Sequence, residues 1–206
     1  MNVHSFIHGF EMENKRELIL SATQRLLAKH GFHGFSMKQL AEEAGVAAGT
    51  IYIYFKDKND LIRQLHEQIL IEVAEAIFSK HDRSLPLYEQ YRQFWWSLWK
   101  FCISKPDMVM SKDQFDHLPP EIQKVQQSNA EKLFAAMVDM FEQGRRKKVL
   151  KPLQDDVLGS LSIETCTALA RKQLLGLISL DDTTLELALS ASWDAIAVNP
   201  SKLREG

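Results

Sequence analysis

Residues 36–58 read Ser-Met-Lys-Gln-Leu-Ala-Glu-Glu-Ala-Gly-Val-Ala-Ala-Gly-Thr-Ile-Tyr-Ile-Tyr-Phe-Lys-Asp-Lys. Ser36 is placed to cap a helix, its hydroxyl oxygen accepting from backbone N–H groups of the first turn. Met37, Leu40, Ala41 and Ala44 then share one helical face. Ala41 is small enough to admit a close partner. Gly45 can take the left-handed conformation that ends this helix and redirects the chain. Val46 and Ile51 supply the apolar contacts for a second helix laid across the first. This is the pattern of a helix-turn-helix, whose second helix is offered to the major groove of DNA.

The stretch Gly45-Val46-Ala47-Ala48-Gly49-Thr50-Ile51-Tyr52-Ile53-Tyr54-Phe55-Lys56-Asp57-Lys58-Asn59-Asp60-Leu61 resembles the signature of the TetR family of bacterial transcriptional regulators. Upstream, Ile19, Ala22, Leu26, Leu27, Gly31 and Phe32 fit that family's first helix and its end. The resemblance covers about the N-terminal quarter of the chain, the size of a small helical module. Beyond Leu61 it implies only an architecture. That architecture is all-α with about nine helices: an N-terminal three-helix DNA-binding domain with the helix-turn-helix over 12–58, and a helical effector-binding and dimerisation domain over 59–199. It further implies a homodimer paired through its last two long helices, a near-palindromic operator in double-stranded DNA, and repression relieved by a small-molecule effector.

The chain has 206 residues, 45% hydrophobic and 25% charged, which is ordinary globular usage. A net charge of −2 argues against a protein that coats nucleic acid indiscriminately, but the field that matters is local. Lys15, Arg16, Lys38, Lys56 and Lys58 gather around the motif, partly offset by Glu42, Glu43, Asp57 and Asp60. Cys102 and Cys166 lie in apolar helical patterns and read as buried free thiols. No apolar run approaches the roughly 20 residues that span a bilayer. The N-terminus, with two histidines and the early acids Glu11 and Glu13, does not look like a signal peptide. A cytoplasmic protein with no membrane partner is expected. A DNA-binding protein without small-molecule control is one alternative, and an enzyme using the C-terminal pocket is the rival class, yet no Walker loop, His-Glu-x-x-His helix, Gly-x-Ser-x-Gly elbow or dinucleotide turn occurs. His4, His8, His30 and His33 lack metal-ligand spacing, so neither a metal nor a cofactor is assigned.

Apolar spacing and breakers predict helices at about 13–30, 36–43, 47–54, 57–80, 85–104, 107–117, 120–150, 156–179 and 183–197. Asp57 caps the fourth. Chemistry and the family pattern together give the candidate DNA contacts. Thr50 and Tyr52 can donate to phosphate or the groove edge from the exposed side of the second motif helix. Lys58 matches the family's lysine and is expected to meet phosphate near the start of the fourth helix. Ala47, Ala48 and Gly49 are small and allow close approach, with alanine methyls able to touch thymine methyls. Ile53 offers no hydrogen bond, so any base reading there is apolar. Tyr54 can reach phosphate or a base, while Lys38 and Lys56 supply positive charge. Ile51 and Phe55 read as core.

A second region concentrates aromatics and methionines: Trp95, Trp96 and Trp99 in one helix, then Met108, Met110, Phe115, Phe134, Met137 and Phe141. Trp95 and Trp99 share a helical face, and Trp96, about 100° round, points elsewhere. In the light of the resemblance these nine residues are the candidate wall of an effector pocket. This wall suits a hydrophobic aromatic effector, and Asp107, Asp113 and Asp116 nearby favour a cationic group on it, with cation–π attraction from the tryptophans. The run Arg145-Arg146-Lys147-Lys148 reads as solvated charge at the end of a long helix. The small and aliphatic residues of 155–197 exceed what one side of two helices can bury, which points to a partner copy.

Overall fold

The computed structural model describes residues 3–115, 130 and 132–199, with side chains from residue 14 onward except that of residue 113. Within these residues the regular structure is helical, and the β pairing amounts to a single antiparallel bridge, Leu150 to Ala197. The chain divides into two compact units, Met1–Ile69 with Met110–Gln126, and Leu70–Val109 with Gln127–Gly206.

The first unit contains α1 (Val3–His30), α2 (Met37–Ala44), α3 (Ala48–Tyr54) and the first half of α4 (Lys58–Phe78). Helix α1 starts ten residues earlier than expected, and Val3, Phe6, Ile7 and Phe10, spaced i, i+3, i+4 and i+7, carry the helical apolar period of that added stretch. Helix α2 packs on α1, and α3 packs on both. Ile19, Ala22 and Leu27 of α1, Leu40 of α2, Ile51 of α3 and Leu61 and Ile62 of α4 are buried and form its core. The end of α6 (Pro106–Phe115) also belongs here: Gln114 Oε1 accepts from the Phe32 N–H at 3.1 Å, and Phe115 stacks on His66 at 4.5 Å.

The second unit is organised around α5 (Leu87–Ser104), with α7 (Ala135–Arg146), α8 (Asp155–Leu161), α9 (Ile163–Leu174) and α10 (Asp182–Ile196). Helices α7, α9 and α10 pack on α5, and α8 touches α7, α9 and α10. Tyr91, Phe94 and Trp95 of α5 bury against a core that includes Cys166 and Ala170 of α9 and Leu189, Trp193 and Ile196 of α10. The Tyr91 hydroxyl lies 2.6 Å from Ser192 Oγ, which itself donates to the Leu189 carbonyl at 2.7 Å, so this buried polar pair is satisfied. Burial pushes the Tyr91 phenol up from its ordinary range, with the hydrogen bond it shares with Ser192 acting in the opposite direction.

One expectation needs correction. The single helix expected over 156–179 is two helices that meet at fully buried Ser162, whose ψ of −85° interrupts the spiral. No proline marks that break, so periodicity ran through it. The helix expected over 120–150 is described only at residue 130 and from 132 onward, and its start lies outside the described residues. The basic run is partly paired: Arg145 bonds Asp155, and Arg146 lies 3.4 Å from Glu142.

Candidate nucleic-acid interface and ligand cleft

The helix-turn-helix is built by its caps. Ser36 Oγ accepts from the Gln39 N–H at 3.2 Å while Gln39 Oε1 accepts from the Ser36 N–H at 2.8 Å, a reciprocal capping box. At the far end Gly45 has φ 66°, and the Val46 N–H reaches back to the Ala41 carbonyl at 3.0 Å. A side chain at this φ is strained even with open space around it. Helix α3 follows two residues later, anchored by Ile51 and Phe55, both essentially inaccessible.

With those two inward, the other α3 residues face out. Ala47, Ala48, Gly49 and Lys56 are exposed, as is Lys38 on α2, while Thr50 and Tyr54 are half-buried. Tyr52 is 56% and Ile53 70% exposed. The turn into α4 is held by Asp57, whose Oδ1 accepts from the Asp60 N–H at 2.9 Å, and by Asp60, which accepts from the Lys56 N–H at 3.0 Å. Burial pushes the Asp60 carboxyl up, but the bonds from Lys56, Arg63 and Gln64 and the Arg63 charge outweigh it and hold the group below the usual carboxylate range.

Lys58 has partners within the chain that its place in the sequence did not show. Its Nζ donates to the Phe35 carbonyl at 2.6 Å and lies 3.8 Å from the centre of the Phe35 ring and 5.2 Å from that of Phe32. Burial lowers its pKa from the ordinary lysine value. The side chain ties the start of α4 to the α1–α2 connection, with one of its three N–H donors in use. Lys58→Met should therefore destabilise the protein by about 1.5–3 kcal/mol in urea, the worth of one hydrogen bond to a charged group. The slope of log Kd against log salt for DNA tests the expected phosphate contact, whose loss would reduce it.

Residues 19–65 match the family described as "Bacterial regulatory proteins, tetR family", and residues 86–197 match "Tetracyclin repressor-like, C-terminal domain". An HTH-type transcriptional regulator of Haemophilus influenzae is 35% identical over 182 residues, covering 87% of this chain and 94% of its own. The protein belongs to the TetR family. A solved TetR-family structure from Vibrio parahaemolyticus is 40% identical with a TM-score of 0.79, covering 90% of this chain and all of that one. Over 71 residues, 34% of this chain and 37% of the relative, the TetR-family protein is also 31% identical to the HTH-type transcriptional repressor AcnR of Corynebacterium diphtheriae.

The aromatic region of this TetR-family protein is mostly packing. Trp95 and Trp99 are buried and stacked at 5.9 Å with 8° between planes, and Phe141 and Met108 are buried. Phe134 meets Phe78 edge-on at 5.8 Å, and it and Met137 are half-buried. Met110, half-buried, and Phe115, buried, belong to the first unit. Within the second unit, Trp95, Trp99, Met108 and Phe141 of the candidate wall are core residues. A cleft of about 610 Å³ in the second unit is lined instead by Ile77, Lys80, Arg92, Gln93, Trp96, Ser97, Lys100, Asp182 and Glu186. Of the nine, Trp96 alone lines it.

Inside the cleft, Glu186 Oε1 accepts from Arg92 at 2.5 Å and from the Trp96 indole N–H at 3.0 Å, so its charge is neutralised. That pairing also raises the Arg92 pKa, through the Glu186 hydrogen bond first. Lys80 and Lys100 are exposed and make no ion pair among the described residues. The sequence did carry a sign of this site: Arg92, Trp96 and Lys100 recur at four-residue spacing on α5, a polar stripe beside the aromatic one. Asp107 is exposed and does not line the cleft, while the Asp113 side chain and Asp116 lie outside the described residues.

Proposed function

We propose that this TetR-family regulator is a homodimeric repressor acting in the cytoplasm, which holds a near-palindromic operator through α3 and releases it on binding a small molecule. The observation that carries the DNA-binding reading is the open outer face of α3, with Tyr52 and Ile53 exposed and Lys38 and Lys56 beside the motif free of ion pairs among the described residues. Phosphate attracts such cations, and tyrosine and threonine hydroxyls can donate to it. Likeness to the repressor AcnR supports repression. Exposed Leu175, Leu177 and Leu187 around α9 and α10 support pairing of two copies through these helices. Two-fold symmetry then spaces the reading helices by about 34–36 Å.

The effector reading changes with the cleft. Its volume falls in the range of small-molecule sites, and its two unpaired lysines suit an anionic group, with Trp96 and Ile77 offering apolar contact. A small organic anion fits this lining better than a cationic form of the hydrophobic or aromatic effector expected from the sequence.

The test starts from duplexes selected by the full-length protein from random DNA. Tyr52→Ala should weaken binding to them by about 10-fold or more, since hydrogen bonds to charged groups are worth about 1.5–3 kcal/mol. Its dimer mass by sedimentation should be unchanged. Failure to select any sequence, or wild-type affinity in the variant, overturns the reading.

A further inference from the structure

We infer that the operator is recognised mainly through the C5-methyl groups of thymine, with Ile53 as the specificity-determining side chain. The inference rests on α3 being the element laid in the groove. Helix α3, Ala48–Tyr54, contains no Arg, Lys, Asn, Gln, Asp, Glu or His. Those are the side chains that grip guanine, adenine or cytosine edges in the major groove, the first four in bidentate fashion. The hydroxyls of Thr50, Tyr52 and Tyr54 are single-point donors, suited to phosphate or one edge atom. Ile51 and Phe55 are buried and cannot reach DNA.

What α3 presents outward is therefore largely hydrocarbon. Ile53 is 70% exposed, more than any other large apolar side chain among the described residues. Ala47 and Ala48 extend the same apolar character to the leading turn, where both are exposed. The major groove of unmodified DNA offers one apolar feature at its base edges, the thymine methyl. Cytosine and uracil lack it. The minor groove offers no methyl and is read with Arg and Lys, which α3 does not carry. An isoleucine left this open to water, on the face turned to DNA, fits a row of methyls.

The experiment uses the full-length chain and duplexes enriched from a random library made with thymine. The enriched set should share T at fixed positions within each half-site. Copies of the best duplex are then synthesised with deoxyuridine for thymidine, which keeps base pairing and removes the methyl. Wild-type protein should bind the uracil copy at least 10-fold more weakly. Ile53→Ala, a change at an exposed position that leaves the core intact, should lose most of that discrimination. Equal wild-type affinity for the thymine and uracil copies overturns the inference while leaving DNA binding through α3 standing. Full discrimination retained by Ile53→Ala overturns the role of Ile53. No enrichment from the thymine library overturns the DNA-binding reading beneath it.

Discussion

Trp193→Ala is expected to lower the stability of the protein by about 3–5 kcal/mol, the usual cost of emptying a buried aromatic site. Trp193 is fully inaccessible on α10, with the Tyr91 and Tyr88 rings 5.2 and 5.4 Å away. No neighbour can expand to fill its space without leaving α5. Urea denaturation followed by circular dichroism measures the loss; a change under about 1 kcal/mol would show that α10 is not held by this contact. Trp193→Phe should cost much less than the volume difference suggests. The Trp193 indole N–H is buried and has no hydrogen-bond partner among the described residues, so phenylalanine removes an unsatisfied donor as well as carbon.

Gly34→Ala should open the connection between α1 and α2. A Cβ at Gly34 would lie 1.9 Å from the His30 carbonyl oxygen and 2.7 Å from the His30 carbonyl carbon. Both are backbone atoms at the end of α1, so no rotamer change relieves the clash. Forced overpacking costs about 1–3 kcal/mol or more, a large fraction of what a small helical unit has. Amide exchange in α2 and α3 should accelerate, and DNA binding should fall with it. All four tryptophans lie in the second unit, so their fluorescence should keep its wild-type urea transition. Wild-type exchange in α2 would show that the turn tolerates a side chain.

The reading motif was legible because its determinants are local. Ser36 caps through a residue three positions on, Gly45 turns through its own φ, and Ile51 and Phe55 declare themselves by spacing. The orientation of Trp95, Trp96 and Trp99 followed from helical angles alone. What could not be read depends on partners distant in sequence. Lys58 is drawn to the Phe35 carbonyl 23 residues away, and sequence shows only a lysine beside a helix start. Whether an aromatic cluster is wall or core depends on which helices close over it; here α9 and α10 do. The cleft was missed because it joins a stripe on α5 to Glu186 on α10, some 90 residues on. The interruption at Ser162 leaves no mark in composition, since serine is compatible with either outcome.

Cys102 and Cys166 are both sealed in the second unit, and burial holds the Cys102 thiol up at about 11 and the Cys166 thiol higher still. At neutral pH about one Cys102 in ten thousand would be ionised, before any barrier to reagent entry is counted. Maleimides should leave both untouched in the native protein. A single cysteine introduced on the exposed flank of α2 can then carry a spectroscopic probe on the unaltered background, and in the homodimer proposed above the separation between two reading heads on one duplex becomes directly measurable.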